Sequence, residues 1–139
     1  MEETKNQIKS FTDLIVWQKA VELFTMVTED VENFPDKRVS LSLANQVVRS
    51  AGAIGANIAE GHGKGGAGGF RYRLNAARGY ACATQDWYHK MARLGYLPEP
   101  VAKARLDLLD GIVRMLNSLI AKLYAREKDK DQEKNQDQK

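Results

Sequence analysis

The sequence is poor in the residues from which most catalytic and metal sites are built: it has one cysteine, Cys82, and two histidines, His62 and His89. A lone thiol excludes an internal disulfide and agrees with a reducing compartment. Cys82 and His89 are seven residues apart and can share a helix face, yet two ligands fall short of a zinc site. The same spacing, about 10 Å along a helix, is too wide for a Cys–His nucleophile pair. No other carboxylate–histidine grouping is legible, so a noncatalytic protein without metal or cofactor is expected. No apolar run approaches the ~18 residues of a membrane span. The polar start, MEETKNQIKS, has no apolar core of a signal peptide, and a cytoplasmic location without a membrane partner is expected. Strand-like alternation and solenoid periods are also missing.

What is present is helical periodicity. In a first segment Leu14, Trp17, Val21, Phe24 and Val31 recur at three- and four-residue steps, Thr28 filling the one missing step, with Ala20, Leu23 and Val27 widening the stripe. Phe34-Pro35-Asp36 stops it, because proline lacks a donor and biases its predecessor away from helix. A second segment starts near Ser40 or Ser42, either of which can cap it, and steps through Ala44, Val47, Ala51, Ile54 and Ile58. Gly52 and Gly55 weaken it and predict close approach of another helix. A third carries Phe70, Leu74, Ala77, Ala81, Thr84, Tyr88 and Met91 and ends at Gly95-Tyr96-Leu97-Pro98. A fourth carries Leu106, Leu109, Val113, Leu116, Ile120 and Leu123. Four amphipathic helices with short connections predict an all-α, antiparallel up-down four-helix bundle over residues 11–126. Residues 1–10 read as a flexible N-terminus, and the fully polar 127–139 as a disordered charged tail.

Between the second and third helices stands GHGKGGAGGF, which fits G-x-G-x-x-G from Gly61 to Gly66. A dinucleotide site needs a strand before those glycines and an acid about 20 residues on. Here a helix precedes them, and the acid near that distance, Asp86, lies inside another helix. The stretch is an interhelix connection. It is either a flexible linker or, with Lys64 and the following helix N-terminus, a close approach to phosphate.

Charge is unevenly spread. From Asp13 to Asp36 six acids face one base, whereas from Arg38 to Arg105 ten bases face three acids. On the third helix Arg71 and Arg78 share a face with Asn75 between them, Arg73 lies beside it, and Lys90 and Arg93 extend the charge. With Arg49 and Lys64 these residues are the candidate contacts to an RNA or DNA backbone. The alternative is that the arginines pair with acids, within the bundle or across a subunit boundary. Asn57, Glu60 and Arg78 form a second candidate group, a polar network fixing helix register, with a Glu60–arginine pair across the glycine-rich turn.

Phe11-Thr-Asp-Leu-Ile-Val-Trp17-Gln-Lys-Ala20, Phe34-Pro35, Asn57-Ile-Ala-Glu-Gly61, Ala77-Arg-Gly79 and Arg114-Met-Leu-Asn-Ser-Leu-Ile120 together resemble the four-helix-bundle proteins encoded in intervening sequences of bacterial 23S ribosomal RNA genes. The resemblance spans about residues 11 to 124. It implies an antiparallel four-helix subunit, a cyclic homopentamer, and binding of ribosomal RNA or other nucleic acid. A related branch, the accessory variability determinants of diversity-generating retroelements, implies a reverse transcriptase as an alternative partner. The chain departs from the family pattern at Lys64, where arginine is usual, and at Gly69, where glutamate precedes the Phe. Tyr80 and Ala83 stand where serine and glutamate are usual, and Gly55 where proline is frequent.

Overall fold

The computed structural model describes residues 7–63 and 66–137. Lys64 and the outermost parts of both termini lie outside them. The chain is all-α, with four helices and no strand among the described residues: α1 (Ile15–Glu32), α2 (Ser40–Gly63), α3 (Ala67–Arg93) and α4 (Glu99–Asp137). A 3-10 turn, Phe11–Asp13, precedes α1. Ser10 caps that turn: its Oγ accepts from the Thr12 amide at 3.2 Å, while Asp13 Oδ2 accepts from the Ser10 amide at 3.1 Å.

One core joins all four helices. α1 contributes Val16, Ala20, Leu23 and Val27, and α2 Val47, Ala51, Ile54 and Ile58; α3 adds Leu74, Ala77, Ala81, Tyr88 and Met91, and α4 Ala102, Leu109, Ile112, Leu116 and Leu123. The deepest line of α1 is the part of the expected stripe formed by Ala20, Leu23 and Val27, joined by Val16; Leu14, Trp17, Phe24 and Val31 pack half-buried against it, and only Val21, 39% exposed, falls outside. The cause lies in α2. A Cβ on Gly55 would sit 3.5 Å from the Trp17 ring, and one on Gly52 3.3 Å from Phe24. The two rings thus lean along the glycine face of α2 and leave the centre to smaller side chains.

The connections follow sequence chemistry. Ser40 donates its hydroxyl to the Pro35 carbonyl at 2.5 Å, closing the turn before α2. At the end of α3 the Tyr96 amide reaches the Met91 carbonyl at 3.0 Å, with Gly95 at φ 74°. That left-handed residue and six-to-one bond stop the helix. The glycine-rich stretch is shorter as a connection than expected, because α2 runs to Gly63 and α3 starts at Ala67.

α3 is the hub, packing most extensively on α2 and α4. Its contacts with α4 step in opposite senses along the two helices: Gln85 with Asp110, Arg78 with Asn117, Arg71 with Glu127. The last of these corrects the expected disordered tail, since α4 continues as helix to Asp137. Lys, Glu and Gln are good helix formers, and extending an existing helix avoids the nucleation cost. Glu127 also bonds Arg71 as the tail begins.

Candidate nucleic-acid interface

α3 holds most of the candidate cations, and α2 and α4 decide what each meets. Arg71 donates from Nε to Glu127 at 2.6 Å and lies over the Tyr124 ring at 5.4 Å. Arg73 is aimed the other way, toward α2, where it donates to Glu60 at 3.1 Å and to the Asn57 amide oxygen at 3.4 Å. Arg78 bridges two amides, Asn75 and Asn117, at 2.7 Å each. Lys90 pairs with Asp86 at 2.7 Å. Arg49 and Arg93 are exposed and make no ion pair or hydrogen bond among the described residues.

These placements divide the expected cation set. Arg71, Arg73 and Lys90 meet carboxylates of the same subunit. Arg78, Arg49 and Arg93 meet none among the described residues, and Lys64 lies outside them. The expected register network forms with a different arginine: Arg73, not Arg78, joins Asn57 and Glu60. The reason is helical phase. Arg78 points to the α4 side of α3, whereas Arg73 faces the end of α2, where Gly61 lets the helices close. A Cβ on Gly61 would lie 2.6 Å from that of Arg73 and 3.1 Å from the Phe70 ring.

The most buried charged group escaped the sequence reading. Asp30 of α1, 5% exposed, accepts from Arg105 Nε and Nη2 of α4 at 2.8 and 2.9 Å, and from the Tyr88 hydroxyl of α3 at 2.6 Å. A bidentate guanidinium and a phenol satisfy the carboxylate, so three helices are tied by one anion. Burial, then the bond to Asp30, push the Tyr88 hydroxyl pKa well above its ordinary range. The bond to Asp30 likewise raises that of Arg105. The signal was present: Asp30 falls seven residues after Leu23, on the buried stripe, where an acid requires a partner. Its partners are 58 and 75 residues away and carry no local signature.

Cys82 and His89 are both exposed, and among the described residues no three His, Cys, Asp or Glu side chains are grouped to hold a metal ion. No described helix is long and apolar enough to cross a membrane.

The fold and its charged surface define a class: a small four-helix protein with cations along a central helix. The sequence profile of the 23S rRNA-intervening sequence protein family matches residues 12–118, and the chain belongs to that family. Its structure is similar to that of a protein of unknown function from the S23 ribosomal protein family of Bacteroides thetaiotaomicron, with a TM-score of 0.71 and 24% identity, covering 76% of this chain and 98% of that one. That likeness extends to the fold. No curated protein matches the chain.

Proposed function

We propose that the chain is a noncatalytic protein of the bacterial cytoplasm that assembles from antiparallel up-down four-helix subunits. The ring, five-membered as the family resemblance implies, binds the backbone of ribosomal RNA or another nucleic acid. The observation that carries this reading is the set of cations without a carboxylate among the described residues: Arg49 and Arg93 exposed, Arg78 held by two amide oxygens. Phosphate supplies the counter-charge, positioning the backbone without reading bases. Arg71, bonded to Glu127, acts instead in shaping the α3 surface, and Lys64, which lies outside the described residues, is proposed as a phosphate contact on its charge alone. Exposed aliphatic side chains, Ile15 at 65% and Leu41 at 71%, supply surface for subunit contact.

The test is binding of RNA and duplex DNA over a range of salt, with light scattering for the assembled mass. A ring-sized mass and log affinity falling linearly with log salt are expected. Salt-independent binding, or none at low salt, contradicts the reading. The second reading, a protein-interaction module such as a reverse transcriptase partner, is favoured by the same aliphatic exposure. A ring that assembles but ignores nucleic acid would select it.

A further inference from the structure

The outer side of α3 carries a row of rings separated by small residues: Tyr72, Ala76, Gly79, Tyr80, Ala83 and Trp87. Tyr72 is 71% exposed and Tyr80 42%. They are eight residues apart, roughly 12 Å along the helix and about 80° around it. Between them Gly79 is the low point. A glycine inside a helix weakens it relative to alanine, and here nothing lies within 4 Å of where its Cβ would be. Packing within the subunit therefore gives no reason for Gly79, in contrast to Gly61. Cations stand over the flanking rings: the Arg73 guanidinium 5.9 Å from the Tyr72 centroid and Lys90 Nζ 4.9 Å from that of Trp87. An open depression lined by Gly68, Arg71, Tyr72, Asn75 and Ala76 adjoins the first ring.

No aliphatic side chain larger than alanine belongs to this row. Of the exposed aliphatics, Ile15, Val21 and Leu41 lie on α1 and α2, Ile8 and Val39 precede those helices, and Leu94 ends α3 beyond the row, so most of the surface suited to subunit packing is a different one. Exposed rings flanked by cations match a nucleobase and its phosphate. A duplex hides its base faces in the stack, whereas a single strand offers them. The ion pairs of Arg73 with Glu60 and of Lys90 with Asp86 are exposed, and a phosphate displaces such carboxylates at little cost. We propose that the outer face of α3 is a stacking platform for single-stranded nucleic acid. Bases lie on Tyr72 and Tyr80, the backbone follows Arg73 and Lys90, and Gly79 lets the strand pass close to the helix. This rests on the nucleic-acid reading above and names its substrate class.

The experiment compares fluorescence anisotropy of labelled oligodeoxythymidine and oligouridine with that of a labelled DNA duplex of equal length, at one low salt concentration. Single strands are expected to bind tighter. Tyr72→Ala and Tyr80→Ala are each expected to weaken them by about tenfold while leaving the duplex unchanged. Gly79→Gln, whose side chain meets nothing in the subunit, should lower single-strand affinity without lowering thermal stability. Gly111→Gln on α4, at an equally open glycine, is the control and should not. Equal affinity for strand and duplex, insensitive to both tyrosines, overturns the platform and leaves the backbone-binding reading standing. Absence of all binding removes both. A fall in assembled mass on substituting Tyr72 or Tyr80 shows that a second copy covers the face and also overturns the proposal.

Discussion

Two charged clusters in this molecule use the same chemistry in opposite surroundings. Asp30 and Tyr88 are buried and Arg105 is half-buried beside them, with the ion-pair side chains 7% and 17% exposed. Glu60, Arg73 and Asn57 sit beside the glycine-rich turn, where the pair is 40% and 36% exposed. In the first cluster water is nearly excluded, so removing one partner strands a buried charge. In the second, water competes with each partner and the pair contributes little to stability. The buried cluster thus fixes how α1, α3 and α4 meet, while the exposed one leaves its cation available to exchange partners.

That contrast can be broken in order of expected effect. Asp30→Ala leaves Arg105 without its carboxylate and should cost about 3–5 kcal/mol in chemical denaturation. Gly61→Ala forces a Cβ against Arg73 and Phe70 where the helix backbones must separate, and should cost about 2–3 kcal/mol. Tyr88→Phe removes one donor while the guanidinium keeps its two bonds, a loss of about 1.5–2 kcal/mol. Glu60→Gln should change stability by less than about 1 kcal/mol, since its pair with Arg73 is exposed.

The buried phenol also sets an alkaline response. Its folded-state pKa is raised, so the folded protein holds this proton more tightly than the unfolded chain does. Its contribution is complete below the ordinary tyrosine value of 10.0 and is lost as pH climbs from there toward the folded value. Denaturation midpoints of the parent chain should therefore fall above that pH more steeply than those of Tyr88→Phe. Parallel curves would contradict the assignment.

Helix existence and the core face of α3 were legible in sequence because local period encodes them: Leu74, Ala77, Ala81, Thr84, Tyr88 and Met91 are all buried, as their spacing predicts. The α1 stripe is legible too, except at Val16 and Val21: both Val16 and Trp17 fit the period, and only the glycine face of α2 decides which lies deepest. The Arg73–Glu60 pair was half legible: a pairing across the turn follows from Glu60 near the end of α2, but which arginine meets it depends on the phase of α3. The Asp30 cluster lay beyond reach because its partners are remote in the chain. The helical tail was misjudged from composition, which signals solvation but does not forbid helix in a segment continuing from one already formed.

The central claim is that the cations left without carboxylates hold nucleic acid, joined by Arg73 and Lys90 only as their exposed carboxylates are displaced. Measuring the salt dependence of single-stranded RNA affinity for the parent and for Arg49→Gln/Arg93→Gln tests it most directly. The account predicts a linear log–log dependence whose slope shrinks by about 1–2 in the double variant. An unchanged slope would contradict it.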